Sequence, residues 1–117
     1  SDFRSGLITV VVAESKLPAW FRDEVKLQPG TIGLRCPAHP GLQALLKQIR
    51  LGCLWATSVN RSGKPPATTA DEVLAWLDEL RASGIDPPEL VVLSRTPGSG
   101  KPSSVIDLTG DEPKRIR

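Results

Sequence analysis

The run Leu7-Ile8-Thr9-Val10-Val11-Val12-Ala13 is β-branched and almost continuously apolar. Few settings other than a strand covered on both faces suit such a run. It is far too short to cross a membrane, and no cleavage-site pattern follows that would make it a secretion signal. Similar short runs recur at Thr31 to Cys36, Cys53 to Thr57, Leu90 to Ser94 and Ser103 to Leu108. Between them lie two helical patterns. Gly41 to Leu51 carries an inward stripe of Leu42, Leu45, Leu46 and Ile49, with Pro40 opening it and Gly52 closing it. A second helix begins at Thr69, stripes Val73, Trp76, Leu77 and Leu80, and ends at Gly84. Its opening Thr69-Ala70-Asp71-Glu72 is a capping box. Short strands alternating with amphipathic helices predict an α/β fold, and 117 residues suffice for one domain spanning 1–117.

Composition narrows the function classes. A net charge of +2 is too small to argue for nucleic-acid binding by charge alone. The basic residues bunch at Lys114, Arg115 and Arg117, a short tail of the kind that is usually just solvated. Cys36 and Cys53 form no CxxC pair and the chain has one His, so no zinc pattern exists. Two buried thiols in a reducing, cytoplasmic setting is the expectation. The chain begins without Met and enters a strand almost at once, which suggests a fragment.

The stretch Trp55-Ala56-Thr57-Ser58-Val59-Asn60-Arg61-Ser62-Gly63-Lys64-Pro65-Pro66 is shaped like a site. An apolar run ends there in short hydroxyls, an Asn and a Gly, and ligands of α/β sheets sit outside such strand ends. Short side chains also let the backbone approach a ligand closely. Thr31, Gly33 and Arg35 share one face of their strand. Arg35 reads equally as a surface ion-pair partner or as an anion clamp. His39, in Pro37-Ala38-His39-Pro40-Gly41, reads as a cap or turn residue rather than a base. Leu17, Trp20 and Phe21 read as core at helical spacing, and Asp71, Glu72, Asp78 and Glu79 as a solvated face. Arg95 to Pro102 superficially suggests a phosphate loop. The pattern fails because Arg95 stands where its first Gly belongs and Pro102 where its Ser/Thr belongs.

Three segments stand in a fixed order: Thr31-Ile-Gly-Leu-Arg35-Cys-Pro37-Ala-His39-Pro40, Thr57-Ser58-Val59-Asn60-Arg61-Ser62-Gly63, and Pro102-Ser103-Ser104-Val105-Ile106-Asp107. Together they resemble the YrdC-like domain of threonylcarbamoyl-adenylate synthases over almost the whole chain. That family's patterns are a TVGVR-P-HP strand, an SANxSG loop and a PST-V-D strand. The resemblance implies a twisted mixed sheet with flanking helices around a concave cleft. It implies a reaction too, in which L-threonine, bicarbonate and ATP give threonylcarbamoyl-adenylate and pyrophosphate, for threonylcarbamoylation of an adenosine in tRNA. Carried over by position, Thr31, Ser58, Asn60, Ser62 and Arg117 would serve the ATP/adenylate. Arg35 and Ser104 would serve the threonine, Arg35 by gripping its carboxylate. Mg²⁺ is implied only as the companion of ATP. No protein nucleophile or acid/base dyad is required, because adenylation rests on positioning and electrostatic stabilisation.

The chain departs from the family pattern at Val59, where Ala is usual, and at Pro66, where a Ser often follows the KP pair. Nothing before Leu7 resembles the family's Lys/Arg-rich phosphate-gripping motif, so the expectation is a YrdC-like domain lacking its N-terminal part. Such a cleft should expose apolar surface to a second copy or a partner chain. From a different class, the alternative is a non-catalytic module that binds a nucleotide or double-stranded RNA.

Overall fold

The computed structural model describes residues 2–60, 63–94 and 97–117. They fall into two compact units, Ser1–Leu54 with Pro102–Arg117, and Trp55–Lys101.

The first unit is a mixed sheet with helices on the connections, the α/β class that the alternating pattern predicts. Strand β1 (Ile8–Ala13) is followed by a 3-10 turn at Glu14–Lys16 and helix α1 (Ala19–Val25). Lys26 stops α1 in the left-handed region, at φ 53°, donating its N–H to the Arg22 carbonyl. The Gln28-Pro29-Gly30 turn needs its glycine, whose φ is +127°. Strand β2 (Thr31–Arg35) then runs back antiparallel to β1, with Thr9 opposite Arg35 and Ala13 opposite Thr31. Helix α2 (Pro40–Lys47) follows, and the chain later returns as β3 (Ser104–Asp107), parallel to β1, and β4 (Lys114–Arg115), antiparallel to β3. The strand order is β2-β1-β3-β4.

Register decides which side chains share a face, because directly paired residues point the same way. Ile8, Val10 and Val12 of β1 share a face with Ile32, Leu34 and Ile106, and with Ser104 and Arg115 at its margins. The other face carries Thr9, Val11 and Ala13 with Thr31, Gly33, Arg35, Val105, Asp107 and Lys114. One face is mainly aliphatic, and the other mixes hydroxyls and charges with Val11, Ala13 and Val105. All of β1 is half-buried, rather than buried on both faces as its composition implies. On β2 the alternation is plain: Ile32 and Leu34 are half-buried while Thr31, Gly33 and Arg35 are exposed.

Helix α2 is shorter than the apolar stripe suggests, since turns at 48–52 replace its last turn. Its opening is well determined. His39 is the N-cap: its Nδ1 accepts from the N–H groups of Gly41 (3.0 Å) and Leu42 (3.3 Å). Gln43 Nε2 donates to the Pro37 carbonyl at 2.8 Å, tying the first turn to the end of β2. Gly6, at φ +77°, lies so close to this link that a Cβ there would meet the Ala38 nitrogen at 3.0 Å.

In the second unit, helix α3 (Ala70–Ala82) is capped by Thr69, whose Oγ1 accepts from Glu72 N at 3.2 Å. The reciprocal bond reaches one residue beyond the box, from Thr68 N to Glu72 Oε2 at 3.0 Å. Leu77 is buried at 4% exposure, while Val73, Trp76 and Leu80 are half-buried.

Two expected strands are absent. Cys53 to Thr57 and Leu90 to Ser94 carry no regular structure, and Trp55 and Val92 are 76% and 83% exposed. A strand exists only within a ladder, and neither segment has a partner strand among the described residues. No helix among the described residues is long and apolar enough to cross a membrane.

Candidate functional site

The mixed face of the sheet carries two of the expected site residues, Thr31 and Arg35. Thr31 and Arg35 stand at opposite ends of β2 on that face, about 13 Å apart at the rise of a strand. Gly33 lies between them, and a Cβ on it would meet the Thr9 methyl at 3.3 Å. Gly33 thus leaves room for the Thr9 methyl, which a larger side chain there would crowd. The Arg35 side chain has no hydrogen bond or ion pair among the described residues, so its fork of donors faces solvent on a fixed strand. The ion-pair reading of Arg35 thus lacks a partner among them.

Across β1 the face continues in a pair of hydroxyls. Thr9 Oγ1 and Ser103 Oγ lie 2.7 Å apart. The Ser103 carbonyl in turn accepts two bonds from Arg117, Nε and an Nη, both at 3.2 Å. Arg117 is held there because its backbone continues the β3 pairing, with Val105 N donating to its carbonyl at 2.9 Å.

Ser104 adjoins Ser103 in the chain, but it is not on the Arg35 face. It pairs with Ile8 on the aliphatic side and receives a long bond, 3.5 Å, from Arg115. The structure therefore joins Ser103, not Ser104, to the face that carries Arg35. Side chains alternate along a strand, so neighbouring serines must part company.

At the far end of β3, Asp107 accepts from the Thr109 hydroxyl at 2.6 Å and from its N–H at 2.9 Å. The hydroxyl bond first, then the backbone bond and the charge of Lys114, hold the Asp107 carboxyl below its ordinary value.

In the second unit, Ser58 is exposed and its hydroxyl is unbonded among the described residues. Asn60 closes the loop it sits in, donating from Nδ2 to the Lys64 carbonyl at 3.0 Å, while Ala67 N reaches the Val59 carbonyl at 2.8 Å. Asn60 thus has a loop-shaping bond. Ser62 lies outside the described residues. The described residues contain no cluster of three or more His, Cys, Asp or Glu suited to a metal ion.

Two residues that this face brings together, Thr9 and Ser103, were not among the expected site residues. The only signal for Thr9 was a lone hydroxyl within an otherwise apolar strand.

The model of the Sua5/YciO/YrdC family, described as "Telomere recombination", matches residues 1–117. The chain belongs to that family. No curated protein and no solved structure shows a significant match to it. Membership in the Sua5/YciO/YrdC family agrees with the α/β sheet and with the order of the three segments that carry Arg35, Asn60 and Ser103.

Proposed function

We propose that the chain is a threonylcarbamoyl-adenylate synthase-like domain that serves threonylcarbamoylation of tRNA. One observation supports the reading beyond family membership: Arg35 presents a guanidinium with no partner among the described residues, on the sheet face that also carries Thr31, Gly33 and Thr9. A planar two-pronged donor in that position suits the carboxylate of L-threonine. The anionic partners, bicarbonate and the ATP phosphates, call for positioning and fixed positive charge rather than a nucleophile. Thr31, exposed on this face and with an unbonded hydroxyl among the described residues, is its candidate to meet the nucleotide. Mg²⁺ would enter with ATP, the phosphates supplying part of its oxygen shell.

The test is pyrophosphate release from ATP by the chain, with and without L-threonine and bicarbonate. Release that requires both is the expected result, and Arg35→Ala should abolish it. Arg35→Lys, which keeps the charge but loses the fork, should fall by about tenfold or more. Release indifferent to L-threonine, or untouched by Arg35→Ala, would sink the reading.

The alternative, a nucleotide- or double-stranded-RNA-binding module, draws on the basic end of the chain. There, however, Arg115 and Arg117 already donate to acceptors within the sheet, namely the Arg117 and Ser103 carbonyls. RNA affinity that falls steeply with salt and is lost on replacing Lys114, Arg115 and Arg117 with Ala would favour it.

A further inference from the structure

The sheet has two ends, and they differ. At one, β4 is two residues long and both are basic, Lys114 and Arg115, a short charged edge of the kind that resists further pairing. At the other, β2 has five residues and β1 as its single neighbour among the described residues. The Glu14 N–H donates to the Gly30 carbonyl at 2.9 Å, which sets the phase of the β1–β2 ladder. Bonded pairs then fall at Val12 with Ile32 and Val10 with Leu34, so the N–H and C=O groups of Thr31, Gly33 and Arg35 point away from β1. The same three residues are exposed. Beyond them on either side stand Pro29 and Pro37, which have no N–H to offer. The open edge is therefore short and bounded at both ends.

This edge is complementary to itself. Turned about a two-fold axis through Gly33, a second β2 lies antiparallel to the first. Gly33 then faces Gly33, Thr31 faces the partner's Arg35, and Ile32 faces the partner's Leu34. All three outward residues form bonded pairs, and no two like charges stand opposite each other. Ile32 and Leu34 meet on the face they already share with Ile8, Val10 and Val12, which carries the aliphatic surface across the junction. A slip of two residues either way sets Arg35 against Pro29 or Thr31 against Pro37, and bonds are lost.

We infer that the outer edge of β2 is a self-docking surface, on which a second copy of this chain adds its own β2 and joins two four-stranded sheets into one. The contact is isologous, and the joined sheet ends in β4 on both sides, so pairing stops at two copies. Five residues a side make a small interface, and the dissociation constant expected is on the order of 10–100 µM. The pairing uses residues of the first unit only, not the exposed Leu90, Val92 and Trp55 of the second.

Val92→Lys serves as the background for the test, so that apolar association through the second unit does not mask the edge. Sedimentation equilibrium should show monomer and dimer and nothing larger. In hydrogen exchange the Thr31, Gly33 and Arg35 amides should slow as concentration rises, while those of Ile32 and Leu34, already bonded to β1, change little. The sign of a charge at position 31 is the sharper probe. Within one chain Thr31 and Arg35 stand about 13 Å apart, beyond the screening length of physiological salt, whereas across the axis they are neighbours. Thr31→Glu should therefore tighten the dimer about fivefold and Thr31→Arg loosen it about fivefold, symmetry counting each pair twice. Thr31 is exposed, so both variants should fold. A chain that stays monomeric up to about 1 mM, or a dimer indifferent to the charge at position 31, would overturn the inference. Exchange at Gly33 and Arg35 that does not respond to concentration would do the same.

Discussion

Side chains that differ by one position in the chain do different work here. Ser103 and Ser104 are chemically identical, yet pleating sends one to the polar face beside Thr9 and the other toward Ile8 and Arg115. Carboxylates are distinguished just as locally. Glu24 sits below its ordinary value because Arg50 bonds it through both Nη atoms, at 2.9 and 3.0 Å, and adds its charge. Asp107 is lowered by Thr109. A carboxyl depressed in the folded state contributes stability above its unfolded value, and that stability is lost as pH falls through the folded one. Both groups are solvent-accessible, so the effect is modest and screened by salt. The melting temperature should therefore hold steady down to about pH 5 and decline below about pH 4, where free carboxyls titrate. Arg50→Gln should flatten that decline. An equally steep acid limb in the variant would show that the Glu24 bridge is irrelevant to stability.

At the scale of elements, ends matter more than middles. Helix α3 depends on Thr69, which supplies the acceptor for Glu72 N that the first turn lacks. Thr69→Ala should cost about 1 kcal/mol, while Thr69→Asp should cost little. Thermal unfolding followed by circular dichroism would read the difference, and equal losses for both would remove the cap from the account. The link from β2 to α2 depends on Gly6 as much as on His39. Gly6→Ala must place a Cβ 3.0 Å from the Ala38 nitrogen at a φ of +77°. A loss of more than about 1 kcal/mol is expected from the left-handed backbone alone. Because Gly6 abuts the segment that follows Arg35, the same variant should also weaken the L-threonine binding proposed above. Unchanged stability would mean that the backbone there yields easily.

For the molecule as a whole, the notable quantity is how little is fully covered. Leu77 is the one apolar side chain among the described residues that is buried, whereas Leu90, Val92 and Trp55 are 79%, 83% and 76% exposed. Exposed apolar surface of that kind drives association. We expect concentration-dependent self-association in sedimentation velocity, weakened by Val92→Lys. A single monomeric species across the accessible concentration range would count against it.

Much was legible from the chain itself because it depends on neighbours in sequence. β-branched runs marked β1, β2 and β3, the Thr69 cap marked α3, and Pro40 beside His39 marked the start of α2. The spacing Thr31, Gly33, Arg35 also disclosed that these residues share a face, since pleat parity needs no partner strand. Other features were decided only when strands met. Cys53 to Thr57 and Leu90 to Ser94 have strand-like composition but no ladder, and composition cannot supply a partner. The two-residue β4 was hidden because Lys114 and Arg115 are unremarkable until Ile106 and Asp107 lie opposite. The union of Thr9 with Ser103, 94 positions apart, follows from the parallel register of β1 and β3. Local rules choose the elements and the faces of each strand. Which faces coincide is a property of the pairing, and that is where this chain assembles its candidate site.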